Sequence, residues 1–131
     1  MRAESPAVGK RILVVDDHQD ICDFMRAALE AAGYEVRTAG EGGKALALQR
    51  EQAADLLITD IFMPGQEGFE TITQCKAEFP QTRIIVMSAG TIPGMKYDFL
   101  AAAGLLGVGA TLRKPFTADQ LVDTVCRVLQ A

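Results

Sequence analysis

Two hydrophobic patterns alternate along this chain. Continuous apolar runs occur at Arg11-Ile12-Leu13-Val14-Val15, at Leu56-Leu57-Ile58 and at Arg83-Ile84-Ile85-Val86-Met87. Runs this short, rich in branched side chains, read as strands buried on both faces. Between them the spacing turns helical. Ile21, Phe24, Met25, Ala28, Leu29 and Ala32 form one apolar stripe, with Gly33 as the stop. Tyr34-Glu35-Val36-Arg37-Thr38 alternates, which predicts an edge strand. Gly40, Gly42 and Gly43 then read as a turn and a poor start to a weak helix over 44–52, with Ala45, Leu48 and Leu46 as its small apolar face. No GxGxxG or Walker spacing makes these glycines a phosphate cradle.

A helix over 67–78 is expected to bury Phe69, Ile72 and Cys75 before Pro80 closes it. Residues 91–94 read as a loop and 95–106 as a further helix with Phe99, Ala102, Ala103 and Leu106 inward. Ala110-Thr111-Leu112-Arg113 is a short last strand. Thr117 followed by Gln120 is a capping-box pattern, and Leu121, Val125, Val128 and Leu129 form the inner face of the last helix.

Five β–α alternations in one domain imply an α/β fold, a doubly wound parallel sheet with helices on both faces, (βα)5. The flavodoxin-like order 2-1-3-4-5 puts the alternating second strand at an edge, as its pattern asks. Residues 1–9 read as a flexible leader and 10–131 as the domain.

Composition adds exclusions. The chain has 131 residues, 49% hydrophobic and 23% charged, and fits one globular domain. A net charge of −4 without a basic stripe argues against direct nucleic-acid binding. No apolar run reaches membrane-span length and no signal-peptide core opens the chain, so a cytoplasmic protein without membrane insertion is expected. Cys22, Cys75 and Cys126 are odd in number and far apart, and suggest neither disulfides nor zinc.

The chemistry lies at the carboxyl ends of the strands, where open α/β sheets place their ligands. Strand one delivers Asp16 and Asp17, strand three Asp60, strand four Ser88 and strand five Lys114. Three crowded carboxylates repel one another, and a hard divalent cation relieves that. All-oxygen ligation suits magnesium (Mg2+). A hydroxyl and an ammonium facing the metal complete a site for a tetrahedral anion. The inferred chemistry is phosphoryl transfer onto a carboxylate. Asp60, on the central strand, is the expected phosphoacceptor. Asp17 would ligate the metal directly, Asp16 directly or through water, and Ser88 and Lys114 would each hold a phosphoryl oxygen. His18, the single histidine, is read as a loop residue bordering the site.

Val14-Val15-Asp16-Asp17, Asp60-Ile61-Phe62-Met63-Pro64 with Gly68, Met87-Ser88-Ala89 and Lys114-Pro115-Phe116 resemble the receiver domain of two-component response regulators. The resemblance runs from Arg11 to Leu129. It implies a phosphoryl-accepting switch in a phosphorelay, loaded by a histidine kinase or histidine phosphotransfer protein and read by a downstream target protein. It also implies a metal contact from the Phe62 backbone carbonyl, a phosphoryl contact from the Ala89 backbone N–H, and a cis bond before Pro115. Ser88 would be the switch hydroxyl. Thr111 stands where the family usually has the aromatic partner of that switch, and the segment between Ser88 and Lys114 is longer than usual. Residues 91–106 are therefore the expected bistable element.

Two other classes share parts of the pattern. A flavodoxin-like electron carrier needs a hydroxyl- and glycine-rich phosphate loop where this chain has Asp16-Asp17-His18. An aspartyl-phosphate hydrolase carries its nucleophile on the first strand, with a second Asp two residues on and a cap domain. The expectation is a regulatory module, not an enzyme beyond self-catalysed phosphorylation and dephosphorylation. No effector domain follows the last helix, so the chain reads as a stand-alone receiver or as a piece of a longer protein.

Overall fold

The three continuous apolar runs and the two weaker ones become five parallel strands. The computed structural model describes residues 10–61, 68–88 and 107–130 (at 68 and 69 the backbone only). Its sheet comprises β1 (Arg11–Val15), β2 (Glu35–Ala39), β3 (Leu56–Asp60), β4 (Arg83–Ser88) and β5 (Ala110–Arg113), in the order β2-β1-β3-β4-β5. The described helices are α1 (Gln19–Ala31), α2 (Gly42–Glu51), α3 (Gly68–Glu78) and α4 (Ala118–Gln130). The expected helix over 95–106, the loop at 91–94 and the leader 1–9 lie outside the described residues.

Successive strand residues serve opposite faces, because side chains alternate across a sheet. Ile12 and Val14, Leu56 and Ile58, and Ile85 and Met87 pack with Met25 and Leu29 of α1 and Leu121 and Val125 of α4. Leu13 and Val15, Leu57, and Ile84 and Val86 pack with Ala45 and Leu46 of α2 and Ile72 and Cys75 of α3. The core is thus two layers on one central sheet. β3 is buried at every position.

Helix boundaries refine the expectations. Gly42 and Gly43 belong to α2 and not to a turn before it. The buried residues of α2 are Gly42, Ala45, Leu46 and Gln49, with Leu48 only partly covered. A helix with so small an apolar face needs help, and Arg37 of β2 supplies some. Its guanidinium donates to the Leu48 and Gln52 carbonyls at the α2 C-terminus, the first of which also accepts the Gln52 N–H. In α1 the inward stripe is turned toward Cys22 and away from Phe24, while Ile21, Ala28 and Ala32 still pack against the core as expected. Cys22, Met25 and Leu29 are buried, whereas Phe24 is 41% exposed and meets Phe116 at a ring separation of 6.2 Å. Gly33 ends α1 with φ 104°, a left-handed conformation that glycine takes without a Cβ clash.

The capping box forms as the spacing predicts. The Thr117 hydroxyl accepts from the Gln120 N–H at 3.0 Å, and the Gln120 side chain accepts from the Thr117 N–H at 2.9 Å.

Candidate functional site

Parallel register decides which side chains meet. Val15 of β1 is level with Thr59 of β3, so Asp16 and Asp60 arrive side by side where the two strands end. The Asp16 N–H still donates to the Ala39 carbonyl of β2 at 3.1 Å, and the Cys22 thiol donates to the Asp16 carbonyl at 3.3 Å. These bonds from both sides hold the Asp16 backbone. Asp60 ends β3 opposite Met87 of β4. Asp16 is 1% and Asp60 5% exposed. Carboxylates that deeply buried require partners.

Lys114 is the shared partner. It follows β5, where its N–H donates to the Ser88 carbonyl at 2.8 Å, and a cis bond joins it to Pro115. Its ammonium donates to Asp16 Oδ2 at 2.7 Å and to Asp60 Oδ2 at 2.6 Å. Burial alone would lower the lysine's proton affinity, but the bonds to Asp16 and Asp60 outweigh it and raise its pKa. Burial likewise pushes the Asp16 carboxyl up. The Lys114 bond and the His18 backbone N–H more than offset that, and its pKa ends below the usual value.

The other oxygen of Asp16 faces a different neighbour. Asp16 Oδ1 accepts the His18 N–H at 2.8 Å and lies 3.0 Å from His18 Nδ1. The same ring nitrogen lies 3.1 Å from Asp17 Oδ1. His18 is also the N-cap of α1, so the helix start fixes its position. Its pKa is raised, first by the hydrogen bond with Asp16 and then by the charge of Asp17.

Asp16, Asp17, His18 and Asp60 each offer a ligand atom, and all four lie within 4.8 Å of one another. Three carboxylates and one ammonium in so small a volume leave an excess of negative charge that a small dication would balance. Carboxylate oxygens are the ligands magnesium prefers, so the residues present fit it. An open groove of about 420 Å³ adjoins the acidic pair and extends to Lys44 and Leu48 of α2.

The structure brings Asp16, Asp17, Asp60 and Lys114 together. Ser88 is buried at the end of β4, beside the backbone of Lys114. Thr111 is an exposed residue of the edge strand β5, level with Val86. Phe62 and Ala89 lie outside the described residues. His18 was legible as a neighbour of the site, and the structure shows it as a member of the cluster. Its adjacency to Asp16-Asp17 at the start of a helix was the available signal.

The family model described as response regulator receiver domain matches residues 12–126. The DNA-binding transcriptional regulator NtrC of Azospirillum brasilense is 37% identical over 122 residues, covering 92% of this chain and 24% of that protein. The transcriptional regulatory protein ZraR of Salmonella typhimurium is 35% identical, covering 90% of this chain and 26% of its own length. The chain therefore spans about a quarter of those two relatives. Among solved structures, the chemotaxis response regulator CheY4 of Vibrio cholerae superposes with a TM-score of 0.79 at 32% identity, covering 91% of this chain and 98% of that one.

Proposed function

The chain belongs to the response regulator receiver domain family, and on that premise we propose that Asp60 is the residue that accepts the phosphoryl group. A receiver of this family is a phosphoryl-accepting signalling switch. No relative described above supports a flavodoxin-like carrier or a hydrolase.

The observation that carries the assignment is the Lys114 ammonium on Asp60 Oδ2, at the carboxyl end of the central strand. Burial and the lysine orient one face of the carboxylate, and an oxygen of Asp60 attacks phosphorus. With phosphohistidine as donor, the P–N bond breaks as the Asp60 O–P bond forms. The electron pair stays on the donor imidazole, and an acyl phosphate results. Charge spreads over three phosphoryl oxygens during the transfer. Lys114 has two of its three N–H donors on Asp16 and Asp60, so its charge is already in place for those oxygens.

Magnesium held by Asp16, Asp17 and Asp60, with the Phe62 carbonyl completing the set, would supply charge neutralisation between nucleophile and phosphoryl oxygens. Ser88 and the Ala89 N–H hold the remaining oxygens in this reading. The donor is a histidine kinase or a histidine phosphotransfer protein, and the output is an altered contact with a downstream protein. Slow self-catalysed loading from small phosphodonors and slow hydrolysis of the acyl phosphate belong to the same reading.

The test is direct. Wild-type protein incubated with acetyl phosphate and magnesium is expected to gain the mass of one phosphoryl group, and Asp60→Asn to gain none. Incorporation into folded Asp60→Asn at the wild-type rate would refute the assignment.

A further inference from the structure

His18 stands out in a site otherwise built from carboxylates and a lysine. Its Nδ1 lies 3.0 Å from Asp16 Oδ1 and 3.1 Å from Asp17 Oδ1. Two ligands at right angles, each about 2.1 Å from an ion, are about 3.0 Å apart. Each of these two nitrogen–oxygen distances therefore equals the spacing of neighbouring corners in one coordination shell. Asp60 completes a set whose ligand atoms all fall within 4.8 Å. The two oxygens of Asp16 divide the site: Oδ2 serves Lys114 and Oδ1 faces the imidazole. A cation taken up on the Oδ1 side would not displace the lysine. His18 is fixed there by its own N–H on Asp16 Oδ1 and by its place at the start of α1.

We propose that His18 is a nitrogen ligand, through Nδ1, for the cation held beside Asp60, and that it shifts the site's preference from magnesium toward borderline divalent transition ions such as nickel and zinc. The reasoning rests on the cation site of the proposed receiver function. Magnesium favours oxygen donors and holds its waters, and gains little from an imidazole. Nickel and zinc favour imidazole nitrogen. The ring must give up the Nδ1 proton and keep the one on Nε2, which fits a side chain that is 68% exposed. The regulatory consequence is a receiver whose acceptor pocket can be occupied by a transition ion in place of magnesium.

Calorimetric titration of the full chain with nickel and, separately, with magnesium tests this, using wild type and His18→Gln. The expected result is selective: His18→Gln binds nickel at least about tenfold more weakly, and its magnesium affinity moves far less. Zinc should also move the ring nitrogen resonances of the wild type, whose single histidine gives unambiguous signals. Equal changes for both ions in His18→Gln, or ring resonances unmoved by saturating zinc, would overturn the proposal. Phosphoryl incorporation by wild type in magnesium, measured in parallel, reports on the receiver reading by itself. Incorporation together with unselective metal binding sinks only the role of His18.

Discussion

Single residues set the chemistry here, and they differ in how visible they were in the sequence. Asp16, Asp17, Asp60 and Lys114 could be found because each ends an apolar run, and a strand end has a known place in a parallel sheet. Gln49 could not. It lies on the inner side of α2 at 1% exposure, where a pattern of apolar residues passes over it. Its side-chain carbonyl accepts the Ala54 N–H at 2.6 Å, and its amide donates to Thr82 at 3.2 Å. Thr82 in turn donates to the Ala54 carbonyl at 2.7 Å. Removing the amide leaves a buried N–H without its acceptor and opens a cavity, so Gln49→Ala should cost roughly 2–4 kcal/mol in urea denaturation. A loss below about 1 kcal/mol would mean that water or a rearranged loop takes over those bonds.

The cysteines give a second check at this scale. Cys22 and Cys75 are buried and Cys126 is half-exposed. Burial, aided by the charge of Asp16, pushes the Cys22 thiol up to about 11, and burial raises Cys75 as well. Thiolates are the reactive form. Native protein near pH 8 should therefore expose only Cys126 to Ellman's reagent, and unfolded protein should react at all three cysteines. Rapid reaction at Cys22 would show that α1 opens beside Asp16.

Elements were legible where their signal is local. The capping box at Thr117 and the glycine stop at Gly33 are short-range chemistry, and both appear as the spacing implies. Thr117→Ala should cost about 1 kcal/mol by loss of one capped N–H at the start of α4. Chemical denaturation with an unchanged m-value would check it, and no change in stability would show that the cap is idle. The inner face of α1 was less legible. Phe24 fits the helical period, but a residue on the stripe's margin can turn outward when a neighbour seals the core, and Cys22 does so here. The α2 start was misplaced because glycine lowers helix propensity, while the cover of α2 against the sheet and the Arg37 bonds at its far end are tertiary effects.

For the whole molecule, alternation and sheet order were readable because βα crossovers allow few topologies. The site's charge balance was not, since it depends on distances. Magnesium should stabilise the folded chain by mass action, by roughly 1.4 kcal/mol at ten times its dissociation constant. Thermal melts should show the rise in wild type and lose it in Asp17→Ala. A rise of equal size in both would place the ion elsewhere.

The central claim is that the phosphoryl group resides on Asp60. Protein loaded with acetyl phosphate and magnesium, then reduced with borohydride, converts an aspartyl phosphate to homoserine at its own position. Peptide mass mapping should find homoserine at position 60 and at no other aspartate. Homoserine at position 16 or 17, or a phosphate that survives reduction on a serine or threonine, would contradict the account.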